Sequence, residues 1–413
     1  MKKVLFVTYG GGHMKIIEPI VKELERNYDN IELKVLALTS SYKYLLQNFN
    51  KDIVKNLLEY SFLFDDVIDE VLKYGLEFLY DNYTKNALVT KEETIFYIGL
   101  SFYDLVQREG KNEAYKLYEI KKRQAFLPIL IIKKILEYEN IDIVVSTTSP
   151  RFEQASFIAG NKLGIQTLEI LDLFAEIYPL PEANHIVVMN EFVKRSLIQQ
   201  NLKNKNYYVL GQPAIETTVK NVKKINKDSV YSKLNINKDK KTLLIATQRL
   251  SIVDKNLQII KSLDYELVYD KLFEILDFIH KQYNINIIVR LHPNESISNY
   301  KKYFQKYDYL LYTNEIVNLE ECISVADILL TKTSTVAIEA IAAHKSVFTY
   351  KHKYDDYYSV PAFQHPPFIF SNGFEELKKN LCNYLNDPKK LDTNFNFLPN
   401  NSAKNIAKLI KEL

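Results

Sequence analysis

Apolar positions along the chain follow two alternating periods. Residues 4–8 form a short β-branched and aromatic run, the signature of a strand buried in a parallel sheet. Gly10, Gly11 and Gly12 interrupt it, after which Ile16, Ile17, Ile20, Val21 and Leu24 recur at helical spacing. A second strand is predicted over 31–38, which completes a βαβ unit. The same rhythm resumes further on, with strands predicted over 141–146, 166–171, 185–189 and 207–210 and a helix over 152–163. Between the two stretches, residues 41–138 read as mostly helical, rich in Leu, Ile, Tyr and Phe and nearly free of Gly and Pro. They are expected to form a helical insertion in the first domain, or a cap on it.

The rhythm repeats a second time, with strands predicted over 242–246, 285–291, 309–312, 328–330 and 347–350. Strands that alternate with helices indicate parallel sheets covered on both faces. The expected organisation is an N-terminal Rossmann-like domain over 1–213, a polar, lysine-rich linker over 214–240 and a second Rossmann-like domain over 241–390. A C-terminal tail over 391–413 carries an amphipathic helix predicted at 402–413. Two doubly wound halves facing one another bind ligands at the carboxyl ends of their strands, in a central crevice.

Composition narrows the class. The 413 residues are 47% hydrophobic and 25% charged, the balance of a globular protein, and more than one core usually supports. Lys and Arg (54) nearly match Asp and Glu (51), for a net charge of +3, so no nucleic-acid partner is implied. The two cysteines, Cys322 and Cys382, give neither a disulfide framework nor metal-ligand spacing. The N-terminal apolar run is shorter than a signal peptide's, and no stretch approaches the roughly 20 residues that span a bilayer. A cytoplasmic protein is expected, with membrane contact limited to the periphery.

Candidate chemistry gathers at strand ends. In Gly10-Gly11-Gly12-His13 the glycines let backbone N–H groups approach a ligand, and the following helix aims its positive end there. His13 is placed either as a proton acceptor or as a packing residue. The spacing is not that of the dinucleotide fingerprint. Arg290-Leu291-His292-Pro293-Asn294-Glu295 follows an apolar strand, and Pro293 ends that strand and fixes the turn. His292 is thereby presented to a phosphate or nucleotide, and Arg290 either binds ligand or serves structure.

In Thr331-Lys332-Thr333-Ser334-Thr335 the hydroxyls open a helix and could cap it or hold a phosphate. Glu339, one turn further on, is a candidate for a ribose hydroxyl. Lesser candidates are Gln248 after strand 242–246, the trio Ser149, Arg151 and Glu153, Asp172 as a general base, and Asp355 with Asp356. Neither zinc spacing nor a P-loop nor a G-x-S-x-G elbow occurs, so no metal or cofactor is expected.

These motifs, in this order, resemble the GT-B superfamily of nucleotide-sugar glycosyltransferases and the related UDP-GlcNAc 2-epimerases. Gly10–His13 with Ile16-Ile17-Glu18-Pro19 is similar to the first loop of the lipid-linked GlcNAc transferase of peptidoglycan synthesis. Val209-Leu210-Gly211-Gln212-Pro213-Ala214-Ile215 looks like the V-x-G-N-P-x-I-D segment at which such chains leave the first domain. Arg-x-His-Pro followed about 40 residues later by a Ser/Thr pair resembles the motifs of bacterial sialyltransferases that use CMP-activated acidic sugars. That resemblance puts cytidylate binding and protonation on His292 and phosphate binding on Ser334 and Thr335; the family's acidic base motif has no counterpart here.

The resemblance implies an inverting, metal-independent glycosyltransferase with His13 or Asp172 as base and His292 stabilising the leaving nucleotide. Its nucleotide-sugar site would comprise Gly11, Gly12, Gln248, Arg290, His292, Pro293, Thr333, Ser334, Thr335 and Glu339. The donor it points to is a CMP-linked nonulosonic acid, and the acceptor a bacterial surface glycan, glycolipid or glycoprotein. A UDP-HexNAc transferase, a UDP-GlcNAc 2-epimerase and a non-catalytic nucleotide- or glycan-binding relative are the alternatives.

Overall fold

The computed structural model describes all residues except 84–87, 173–181, 201–204, 249–250, 254–258, 263–264, 294, 353–360 and 389–397. The chain divides into two compact units, Met1–Ala214 with Pro399–Leu413, and Ile215–Leu398.

The first unit is built on seven parallel strands: β1 (Lys2–Tyr9), β2 (Ile31–Leu38), β3 (Val54–Lys55), β4 (Ile143–Thr147), β5 (Gln166–Ile170), β6 (His185–Val188) and β7 (Asn206–Val209). They lie in the order β3-β2-β1-β4-β5-β6-β7. Chain order therefore reverses between β1 and β4, where doubly wound sheets open for ligands. Val4 to Val7 of β1 are fully buried, which explains why this strand reads as a continuous apolar run.

Helix α1 (Gly10–Asn27) covers one sheet face through Ile16, Ile17, Ile20, Val21 and Leu24, the spacing that marks it in the sequence. The insertion comprises α2 (Ser40–Leu45), a 3₁₀ segment (Leu57–Val67), α3 (Ile68–Glu77), α4 (Leu79–Asn82), α5 (Lys91–Glu109), α6 (Lys111–Lys121) and α7 (Ile129–Glu139). Thr90 and Glu93 close a capping box at the start of α5. Helices α3 and α5 approach very closely, because a Cβ built on Gly75 would lie 2.1 Å from the Ile95 carbonyl oxygen and one on Gly99 2.0 Å from that of Val71. The insertion is not a detached cap. Its Ile98, Leu100, Phe102, Ile132 and Ile135 join Leu5 and Val7 of β1 in one core on the other sheet face. Two further helices, α8 (Phe152–Leu163) and α9 (Glu191–Gln199), complete the unit's βα repeats.

Residues 214–240, read from their polarity as a linker, hold most of α10 (Pro213–Lys224) and all of α11 (Lys227–Leu234). The lysines lie on exposed faces, while Ile215, Val222, Val230 and Leu234 are buried. The apolar stripe is too narrow for the eye to pick out among so many charges.

The second unit has six parallel strands in the order β12-β11-β8-β13-β14-β15. These are β8 (Thr242–Ala246), β11 (Asn286–Arg290), β12 (Leu310–Tyr312), β13 (Ile328–Thr331), β14 (Ser346–Tyr350) and β15 (Ile369–Ser371); a separate antiparallel pair comprises β9 (Ser251–Val253) and β10 (Ile259–Ser262). Here the order reverses between β8 and β13. Helices α12 (Tyr265–Tyr283), α13 (Lys301–Lys306), α14 (Leu319–Val325), α15 (Val336–Ala342) and α16 (Phe374–Asn386) belong to this unit.

The final helix, α17 (Ser402–Glu412), returns to the first unit. Its Ile406, Ala407, Leu409 and Ile410 pack into the core against α1, and each of the larger three is worth roughly 1.5–3 kcal/mol on burial. Lys2 Nζ donates to the Lys411 carbonyl at 2.7 Å.

Candidate functional site

In the first unit the sheet's reversal point carries a cluster of titratable groups. His13 stands on the first turn of α1, directly after β1, and its Nδ1 lies 2.6 Å from Thr147 Oγ1 at the end of β4. Asp172 Oδ2, just past β5, is 3.8 Å from the same nitrogen, and Glu153 Oε1 on α8 is 4.0 Å away. Thr147 Oγ1 in turn donates to Glu153 Oε1 at 3.4 Å, and the Tyr9 N–H donates to the same oxygen at 3.1 Å. With Nδ1–H donating to Thr147 and that hydroxyl donating onward, Nε2 is left as the acceptor on the neutral ring. Gly10 has φ +70°, a conformation suited to glycine, and a Cβ on Gly11 or Gly12 would meet nothing within 4 Å. The first turn therefore presents backbone to open space.

Burial dominates the electrostatics here. It holds the His13 imidazole below its ordinary value, with the Arg151 guanidinium adding to the effect. It pushes Glu153 up to about 8, and Glu169 and Asp172 up to about 7. The Asp172 charge raises both glutamates further. Thr148 Oγ1 donates to Glu169 Oε1 at 3.1 Å. Glu153 Oε2, Glu169 Oε2 and Asp172 Oδ1 are buried with no hydrogen-bond partner among the described residues.

A stability consequence follows from these raised values. From the ordinary 4.5 up to about 8, Glu153 binds more proton in the folded than in the unfolded chain. Stability is therefore highest at the acid end of that window and falls as pH rises through it. Glu153→Gln keeps the shape and removes the ionisation, so its melting temperature is expected to fall less than the parent's from about pH 5 to about pH 9. Equal slopes in thermal melts would show that Glu153 ionises without cost.

In the second unit the reversal point lies between β8 and β13, and a reciprocal pair bridges it. Gln248 Nε2 donates to Thr333 Oγ1 at 2.8 Å, and the Thr333 N–H donates to Gln248 Oε1 at 2.9 Å. Thr331 Oγ1 donates to the Ala246 carbonyl at 2.8 Å. Ser334 and Thr335 follow, ahead of α15, with Thr335 exposed. Glu339 sits half-buried in the first turn of that helix.

His292 and Pro293 are exposed after β11, on a turn held from several sides. The His292 N–H donates to Glu295 Oε2 at 3.1 Å and the Glu295 N–H to the His292 carbonyl at 2.9 Å. Tyr300 Oη donates to Glu295 Oε1 at 2.8 Å, and Thr247 Oγ1 donates to Glu295 Oε2. Asn314 bonds both the N–H and the carbonyl of Leu291, each at 2.8 Å. Arg290 Nη1 donates to the Val317 carbonyl.

The structure thus brings His13 and Asp172 together, and Gln248 with Thr333. Thr147, Glu169 and Asn314 lie outside the sequence candidates, and Glu295, quoted there within the His292 motif, gains a role only from the hydrogen bonds that tie the turn. Glu169 had a signal, an acid between Leu168 and Ile170 on a predicted strand; Asn314 had none, because it acts across the fold. Asp355 and Asp356 lie outside the described residues. No group of three potential metal ligands occurs among the described residues, nor any helix long and apolar enough to cross a membrane.

Comparison with solved structures places both units in the GT-B-like fold of glycosyltransferases and their relatives. The UDP-GlcNAc 2-epimerase from Methanocaldococcus jannaschii is 14% identical over 100% of each chain, with a TM-score of 0.60. A putative UDP-N-acetylglucosamine 2-epimerase from Listeria monocytogenes is 13% identical, over 100% of this chain and 96% of that one, with a TM-score of 0.61. Acinetobacter baumannii MurG is 11% identical over 100% of each chain, with a TM-score of 0.54. No curated protein matches the sequence. Residues 175–393, more than half of the chain, match the family described as CDP-Glycerol:Poly(glycerophosphate) glycerophosphotransferase, and the chain belongs to that family. Neither comparison points to a CMP-linked acidic sugar.

Proposed function

We propose that this protein moves a polyol phosphate, such as glycerol phosphate, from a CDP-linked donor to a hydroxyl of a polyol phosphate acceptor. The observation that carries this reading is the family match over residues 175–393, which contains both the His292 turn and the Gln248–Thr333 bridge. The acceptor oxygen attacks the phosphorus that bears the polyol, a new P–O bond forms, and the bond to cytidylate breaks. CMP departs and the acceptor's proton passes to the base. The reacting centre is phosphorus, not the anomeric carbon expected from the sequence, yet cytidylate is the leaving group in both chemistries.

In this reading His13 Nε2 takes the acceptor's proton, and Asp172 as carboxylate steadies the imidazolium that forms. His292 and the hydroxyls of Thr333 and Ser334 bind the departing cytidylate's phosphate, where negative charge develops. Gln248 and Glu295 position these groups. Gly11 and Gly12 leave room for the reacting phosphate. Pro293 fixes the turn, and Glu339 is kept as a candidate for the ribose.

The test is release of CMP from CDP-glycerol with and without a glycerol phosphate oligomer as acceptor, beside CMP-linked nonulosonic acid and UDP-GlcNAc as rival donors. CMP release that requires the oligomer is expected. Turnover of UDP-GlcNAc without an acceptor would overturn the reading in favour of an epimerase, and turnover of the CMP-linked acidic sugar in favour of a sialyltransferase-like enzyme.

A further inference from the structure

A pocket of about 630 Å³ opens in the first unit between the end of β1 and the helical insertion. Its cationic side is formed by Lys121 and Lys122 at the end of α6, by Arg123 just beyond, and by Arg151 before α8. Among the described residues Asp81 is the only carboxylate on the lining, and it lies 3.6 Å from Lys122. The two arginines converge on one ring. Arg123 Nη2 donates to Tyr9 Oη at 2.7 Å, while the Arg151 guanidinium carbon lies 4.8 Å from the Tyr9 ring centroid.

Gathering these charges is unfavourable unless an anion joins them. The Nε atoms of Arg123 and Arg151 are buried and have no hydrogen-bond partner among the described residues. Arg151 is also held at φ +78°, a conformation that is strained for a residue with a side chain. A guanidinium presents a planar fork of donors that matches phosphate oxygens, and two forks with neighbouring lysines make a site for a phosphate rather than for a neutral sugar. Tyr9 immediately precedes Gly10, so the pocket adjoins the turn that carries His13. In a polyol phosphate chain, the phosphate next to the terminal hydroxyl is only one polyol away.

We propose that this pocket binds a phosphate group of the acceptor, the one adjoining the hydroxyl that His13 activates. The proposal rests on the polyol phosphate reading above. It gives the insertion a task beyond enlarging the core.

The experiment is calorimetric titration of the full chain with a glycerol phosphate oligomer, with phosphatidylglycerol vesicles and with CDP-glycerol. It compares the parent, Arg123→Gln, and the double variant Lys121→Gln/Lys122→Gln. Affinity for the oligomer is expected to fall at least about tenfold in each variant, as loss of charge-assisted bonds implies, while CDP-glycerol binds as before. The same loss seen with vesicles and not with the oligomer would assign the phosphate to a lipid headgroup and keep the site. Unchanged affinity for both in the two variants would overturn it. Both lysines are exposed, so the double variant tests the site even if Arg123→Gln fails to fold. If CDP-glycerol is neither bound nor turned over by the parent, while oligomer binding still depends on these residues, the donor reading fails and the pocket stands.

Discussion

His13→Ala is expected to lower kcat for transfer from CDP-glycerol by about 10²–10⁴-fold, the usual contribution of a positioned general base, with donor affinity preserved. The geometry makes this the residue to remove. Its Nδ1 is engaged by Thr147 at 2.6 Å, and Asp172 stands 3.8 Å away, ready to balance the charge the ring acquires. Burial and Arg151 keep the free imidazole below its ordinary value, so the ring is neutral and able to accept a proton at neutral pH. Asp172 titrates at about 7 because burial disfavours its charge. Above that value it is a carboxylate that stabilises the imidazolium; below it the support is lost. The rate is therefore expected to rise with pH through about 7, and Asp172→Asn to flatten that limb. A pH–rate profile of the three proteins checks this, and an unimpaired His13→Ala enzyme would remove His13 from the mechanism.

His292→Ala is expected to cost roughly 10²–10³ in kcat, the scale for removing one preorganised donor from a site of developing charge. The turn that carries it is tied by Glu295, Tyr300, Thr247 and Asn314, so the imidazole is delivered by a rigid support and little ordering remains to be done on binding. His292→Gln, which can still donate a hydrogen bond, should recover part of the loss. Steady-state kinetics with CDP-glycerol separate the possibilities: a raised KM with kcat intact would make His292 a simple binding contact, and no change in either would place the leaving group elsewhere.

Much of this architecture is visible in the chain's apolar spacing. The prediction of a second strand over 31–38 and of a helix over 152–163 coincides with β2 and α8, because each has an uninterrupted pattern and a clear stop. The stops are a polar turn after β2 and Gly164 in the left-handed conformation after α8. Strand β3, of two residues, is too short to show a period. Helices α10 and α11 hide because their buried stripe is outnumbered by lysines. Strand ends place His13, His292 and Thr333 without the fold. What pairs with them does not follow from spacing: the Gln248–Thr333 bridge joins residues 85 apart, and the His13–Thr147 contact spans 134. Only the strand order, reversing at β1 with β4 and at β8 with β13, makes such neighbours. Arg290, open in the sequence between ligand and structure, has a structural partner for the same reason, since the Val317 carbonyl that receives its Nη1 is supplied by a distant loop.

The docking of α17 onto α1 also bears on how the protein is made. The second unit occupies one continuous stretch, Ile215–Leu398, whereas the first needs Pro399–Leu413 to finish its core. During synthesis the later unit can therefore close first. The earlier one can lay α1 on its sheet, but it lacks Ile406, Ala407, Leu409 and Ile410, which complete that core, until α17 has been made. A nascent chain halted before residue 399 would be a natural client for chaperones, and removal of α17 would act on yield before it touched chemistry.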